Sequence, residues 1–199
     1  MAQTTDTPLT ATLVAAHAGD QVAARALWAT VGPRLRGFAV GLLRDPAAAD
    51  DAVQAAFVRV LGLRAAEVAQ VADPLAYLLA AVRHAALDGV RADRRRTARE
   101  HAAGDGAASE DGGLAAALPA AGGGDGELAR ALDRLNHGDR EVLLLKHIAG
   151  LTFDQMALVL GLPRGTAVAR HGAALSRLRA VMMGERDGVV EGMKEVTRG

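Results

Sequence analysis

The side chains best equipped for chemistry in this 199-residue sequence cluster late in the chain. Thr152, Arg164, Gly165, Thr166, Arg170 and Arg177 fall in one segment, 152–179, which reads as helix, tight turn, helix. Thr152 can cap the first helix, with Gln155 three residues on to close a capping box and Leu151 and Met156 flanking it as a hydrophobic staple. Met156, Val159 and Leu160 then keep the spacing of one buried face, and Gly161-Leu162-Pro163 ends the run. On the second helix, from Arg164 to about position 179, Thr166, Arg170 and Arg177 share one face while Ala167, Ala174 and Leu178 share another. A guanidinium keeps its charge and offers five donors, so it can bond both phosphate oxygens and guanine edges. A donor-rich second helix after a glycine turn therefore fits a DNA major groove, and the plainer alternative is an αα-corner packed for stability.

Two further sets lie upstream. Tyr77, His84, Asp88, Arg91 and Arg95 line one side of a helix that begins after Asp73-Pro74, with Arg83 and Arg94 beside them. Cations meet phosphates and an aromatic ring can stack on a base, which makes this stripe a second candidate nucleic-acid face. Asp50, Asp51, Gln54 and Arg59 occupy the polar side of an earlier helix, and on residue type alone they suit a solvated face.

The elements that must carry these sets are helical. Half the residues are hydrophobic, much of that half is alanine, and no alternating strand pattern stands out. A first helix is expected near residues 9–18. Asp20 caps a second, which Pro33 is expected to interrupt before Leu35, Phe38, Ala39, Leu42 and Leu43 resume the period. Asp45-Pro46 starts a third helix with an acidic cap and a first-turn proline, and its apolar stripe is Ala49, Ala52, Val53, Ala56, Phe57, Val60 and Leu61. Residues 62–72 form a connection with no aromatic. Leu75, Leu78, Leu79, Val82 and Ala86 form the buried side of the next helix. Leu128, Ala131, Leu132 and Leu135 mark an amphipathic helix. Asn136 caps another, with Val142, Leu145 and Ile148 facing inward. His171 falls at an apolar position of the last helix and is treated as a candidate core histidine.

The organisation follows from composition. Residues 1–8 and 184–199 are expected to be tails, 9–99 and 127–183 two small helical domains, and 100–126 a flexible linker rich in glycine, alanine and acid. Stretched, such a linker reaches roughly 75 Å, which exceeds two turns of DNA at about 70 Å. The net charge is zero, yet residues 83–99 hold six arginines and residues 128–183 hold eight bases against four acids. Local patches, not the average, decide nucleic-acid affinity.

Several function classes lack support. The chain has no cysteine, which excludes disulfides and thiolate metal sites. The six histidines form no His-Glu-x-x-His pair, no glycine-flanked serine elbow is present, and the Gly122-Gly123-Gly124 run lacks the Lys-Ser/Thr of a phosphate loop. No catalytic residue, metal site or cofactor is assigned. No signal peptide or membrane-spanning run is found, so a soluble cytoplasmic protein with no membrane insertion is expected.

The order of these motifs resembles bacterial RNA polymerase sigma factors of the small extracytoplasmic-function (ECF) type, over about residues 9–99 and 127–181. Ala49-Asp50-Asp51-Ala52-Val53-Gln54 with Phe57 and Arg59 is similar to the family's polymerase-docking helix. Tyr77-Leu78 through Arg83-His84 and Asp88-Gly89-Val90-Arg91 is similar to its promoter −10 helix. Leu132 to Leu135, Arg140-Glu141-Val142, Gly150-Leu151-Thr152, Met156-Ala157, Leu160-Gly161-Leu162 and Gly165-Thr166 are similar to its −35 domain. The resemblance implies an all-α, two-domain fold and no enzymatic activity. It implies binding to core RNA polymerase through Asp50, Asp51, Gln54, Phe57 and Arg59. It implies −10 contact by Tyr77, Arg83, His84, Asp88, Arg91, Arg94 and Arg95, and −35 contact by Thr152, Arg164, Gly165, Thr166, Arg170 and Arg177. The partners implied are core polymerase, promoter DNA and an anti-sigma protein. The sequence departs from the family where Leu61 and Gly62 replace a common aromatic, where His84 replaces a common asparagine, and where Val168 and Ala173 replace residues that are often basic. Strand separation needs a pocket or ring to hold a flipped base. The alternative is accordingly a sigma-like DNA-binding regulator with weakened promoter melting.

Overall fold

In the computed structural model the described residues are 7–103 and 125–196; the side chains of residues 7, 90, 92–103, 125 and 185–196 fall outside the description. No strand occurs among the described residues.

Short-range caps set most helix starts. After α1 (Thr7–His17), the Asp20 carboxylate accepts the Val22 and Ala23 amides at 2.8 and 3.1 Å and opens α2 (Gln21–Leu43). Pro33 does not interrupt α2, contrary to the sequence expectation. Pro33 and Ala29 both lie on the solvent side, where water can meet the carbonyl that the proline ring leaves without a donor. Helix α2 ends at Arg44, whose φ of 62° puts a non-glycine residue in the left-handed region. Asp45 accepts the Ala47 and Ala48 amides and starts α3 (Pro46–Leu61). The predicted stripe is buried at Ala49, Ala52, Val53, Ala56 and Val60, but Phe57 is half-buried and Leu61 exposed. The 62–72 connection contains one short helix, α4 (Ala65–Val68), where Glu67 accepts the Arg64 amide at 2.9 Å.

Helix α5 (Pro74–Ala103) starts where Asp73 accepts the Ala76 amide, and it buries Leu75, Leu78, Leu79, Val82 and Ala86. It runs four residues into the expected linker, whose positions 104–124 lie outside the described residues. After α6 (Asp125–Asp133), Asn136 accepts the Asp139 amide and caps α7 (His137–Leu143). This helix continues as a π-helical turn over Leu144–Ile148. Helix α8 (Phe153–Leu160) ends at Gly161, φ 64°, and α9 (Arg164–Val196) follows. The tail expected from Gly184 is therefore helical as far as Val196.

The two helical bodies, expected to be loosely tethered, pack together and share one core. Phe38, Leu35, Leu78 and Leu79 from the first and Leu144, Leu145, Leu151 and Met156 from the second are all fully buried in it. The π turn lies on α2, and α8 lies on α5. Two glycines make the first contact possible. A Cβ at Gly37 would stand 2.8 Å from Ile148 Cγ2, and one at Gly41 would stand 2.5 Å from Leu144 Cδ2. Polar contacts surround this seat. Arg34 Nε donates to the Ala149 carbonyl at 2.7 Å. Arg44 reaches the Asp133 carbonyl with Nη2 and the Asp133 carboxylate with Nε at 3.0 Å.

Candidate nucleic-acid interface

The helix-turn-helix forms as its residues require. Thr152 Oγ1 accepts the Gln155 amide at 3.2 Å while Gln155 Oε1 accepts the Thr152 amide at 2.9 Å, which completes the capping box. Met156, Val159, Ala167 and Ala174 turn inward and are buried. That leaves Thr152, Arg164, Gly165, Arg170 and Arg177 exposed and Thr166 half-buried. Arg164 is paired with Asp154 at 3.1 Å across the turn, both side chains mostly in solvent, so the pair holds Arg164 weakly. Arg170 has no carboxylate partner among the described residues. Arg177 does have one: its Nη1 lies 2.6 Å from Asp139 Oδ1, and that carboxylate is only 11% exposed.

On α5, Tyr77, His84, Asp88 and Arg91 are exposed, and Arg91 pairs with Asp88 one turn back at 3.1 Å. Arg94 and Arg95 follow on the same helix, with their side chains outside the described residues. Arg83 is not on the open face. Its Nε lies 2.6 Å from Glu141 Oε1 on α7, with Arg83 22% and Glu141 7% exposed. Such a partner, 58 positions away, has no local signal. The hint in the sequence is the charged run Asp139-Arg140-Glu141 immediately before the apolar run Val142–Leu145. All three residues are buried, and Arg140 donates to the Leu132 and Leu135 carbonyls.

The α3 face carries Asp50, Asp51, Gln54 and Arg59, all exposed, with Phe57 half-buried beside them. Sequence reasoning missed two neighbours of this face. Arg36 on α2 holds Asp50 at 2.7 Å, and the half-exposed Trp28 stands 5.4 Å from Phe57 in a tilted ring contact. Asp50 is thus already matched by a cation, while Asp51 and Gln54 have no such partner among the described residues.

His171 is half-buried, not a core residue as expected. Its Nε2 meets His147 Nε2 at 3.0 Å and its ring meets the Phe153 edge. Burial, followed by the neighbouring His147 and Lys146, pulls its pKa below the ordinary histidine value. No group of three or more metal-ligating side chains occurs among the described residues. No described helix is long and apolar enough to cross a membrane.

What the arrangement offers is donors and acceptors on three surfaces. Family comparisons match two regions of the chain. Sigma-70 region 2 matches residues 27–96 and Sigma-70 region 4 matches residues 125–178. The chain is 28% identical over 172 residues to the RNA polymerase sigma factor CarQ of Myxococcus xanthus, covering 82% of this chain and 91% of that protein. The fold is similar to that of the sigma factor RpoE in its complex with the anti-sigma factor NepR from Bartonella quintana. There the identity is 24% and the TM-score 0.62, over 80% of this chain and 96% of that one. It is also similar to CnrH in complex with the cytosolic domain of CnrY, with 23% identity and a TM-score of 0.60, over 88% and 97%.

Proposed function

We propose that this chain, which belongs to the sigma-70 family, is of the ECF type and has a sigma factor's role in transcription initiation, reads promoters through two separate faces. Sigma factors are regulatory proteins, not enzymes. Under this reading α3 docks on core RNA polymerase through Asp50, Asp51, Gln54, Phe57 and Arg59. Helix α5 meets the −10 element through Tyr77, Arg83, His84, Asp88, Arg91, Arg94 and Arg95. The helix-turn-helix meets the −35 duplex through Thr152, Arg164, Gly165, Thr166, Arg170 and Arg177. The observation that carries this reading is the two-sidedness of α9: Ala167 and Ala174 are fully buried while Arg170 and Arg177 reach solvent on the other side. Phosphate contacts would set register and base-edge contacts specificity.

The aromatic-free 62–72 connection favours a second reading, a sigma-like regulator that binds DNA but melts it weakly. RpoE is solved with an anti-sigma factor and CnrH with the cytosolic domain of CnrY. A proteinaceous inhibitor, and work in the cytoplasm, belong to the same proposal.

Reconstitution with core polymerase on genomic fragments tests it. The chain should join core and initiate at sites preceded by two short motifs about two helical turns apart. DNA binding without initiation would favour the second reading, and failure to join core or bind DNA would overturn both. Arg170→Ala should weaken −35 binding across sequences and lower the salt slope by about one.

A further inference from the structure

We propose that His147 and His171 form a two-imidazole site for a divalent transition-metal ion of the nickel, copper and zinc class, which fastens the π turn to α9. The inference stands on the geometry of these two rings and goes beyond the promoter reading above.

The two nitrogens converge from different elements. His147 lies on the π turn Leu144–Ile148 and His171 on α9, 24 positions later. Their Nε2 atoms stand 3.0 Å apart, with ring centroids 5.2 Å apart and planes 32° from parallel. An ion bound to imidazole at about 2.0–2.1 Å holds two such nitrogens about 2.9 Å apart at neighbouring corners of a square or octahedron. On a tetrahedron the same bonds hold them about 3.3 Å apart. The observed separation falls inside that range and nearer its square end, the geometry that copper and nickel prefer. Neither ring has another hydrogen bond among the described residues. Without an ion, one Nε2 donates and the other accepts. Binding moves the donor's proton to its own Nδ1, so both Nε2 lone pairs are free for the ion and no net proton is released.

The surroundings favour ligation. Ala167 and Ala174, about one turn to either side of His171, are fully buried and anchor that stretch of α9. Phe153 meets the His171 ring in a T-shaped contact, 5.4 Å between centroids, and limits its rotation. Burial, then His147 and Lys146, lower the His171 pKa, which keeps the imidazole neutral at pH 7 as a ligand must be. Lys146 opposes a cation, but its charge is already engaged. Its Nζ donates to the Leu151 carbonyl at 2.9 Å and lies 4.8 Å from the Phe153 ring centroid. Two nitrogen donors with no bonded carboxylate select against magnesium and calcium, which take oxygen. His147 is exposed, so water completes the coordination.

Thermal denaturation of the full-length, tag-free chain after chelator treatment tests the site. Nickel chloride at about ten times its dissociation constant should raise the melting temperature by about 3 °C or more, and magnesium chloride should leave it unchanged. Calorimetry should count one nickel ion per chain. His147→Gln and His171→Phe should each abolish the nickel shift at unchanged helix content, while His137→Gln should keep it. No nickel shift in the natural sequence, or a shift that survives loss of both His147 and His171, would overturn the proposal. Either of those results leaves the promoter reading standing, because that reading is tested by transcription without added nickel.

Discussion

Arg83 and Glu141 meet across two helical bodies, Nε to Oε1 at 2.6 Å, from positions 58 residues apart in the chain. The carboxylate is buried and the guanidinium reaches the rim, so the pair is dry on one side and wet on the other. Removing the charge from the dry side leaves Arg83 facing a neutral amide in a partly closed site. Glu141→Gln should lower stability by about 1–3 kcal/mol, less than a fully buried pair would lose because Arg83 can turn toward water. Urea denaturation of this variant, of Arg83→Gln and of the double variant gives the coupling. A coupling indistinguishable from zero would mean that the two side chains do not interact in solution.

Gly161 and Gly172 should respond oppositely to the same substitution. Gly161 holds φ 64° at the turn between α8 and α9, and a methyl group placed there would meet nothing within 4 Å, so only the backbone resists a side chain. Gly161→Ala should cost about 1–2 kcal/mol. Gly172 lies inside α9 with equally open space and ordinary helical φ. Gly172→Ala should gain about 0.5–1 kcal/mol. Thermal denaturation that moved both in the same direction would contradict the turn geometry.

His171 sets a pH dependence whose sign follows from its surroundings. Burial, then His147 and Lys146, lower its pKa from the ordinary value near 6.5. Between the folded value and 6.5 the unfolded chain binds more protons, so stability rises with pH across that interval. The contribution is complete above about pH 6.5 and is lost as pH falls toward the folded value. The melting temperature of the natural sequence should therefore drop more than that of His171→Phe between pH 7.5 and 5.5. Parallel curves for the two proteins would count against this account.

Much of the fold was legible from short-range signals. Asp20, Asp45, Asn136 and Thr152 each cap a helix through bonds spanning two or three residues, which is why their positions in the sequence suffice. The stripes on α3 and α5 and the breaker at Gly161 were equally local. Pro33 misled because its tolerance depends on which side of α2 faces water, a fact of packing. The tail and linker edges misled because α5 and α9 outrun the apolar patterns that announce them. In the site, exposure of Thr152, Arg164 and Arg170 followed from helix faces. The partners of Arg83 and Arg177, and the role of Gly37 and Gly41 as a seat, depend on elements distant in the chain and have no periodicity to betray them.

Arg44 places two demands on one residue: a backbone that glycine would adopt without strain, and a long cationic arm that glycine lacks. Exchanging it for glycine would relax the α2 terminus and at the same time cut a tie to Asp133. Selection at this position must therefore weigh the comfort of one helix end against the grip between two halves of the molecule. A lineage that kept arginine there would be keeping the grip.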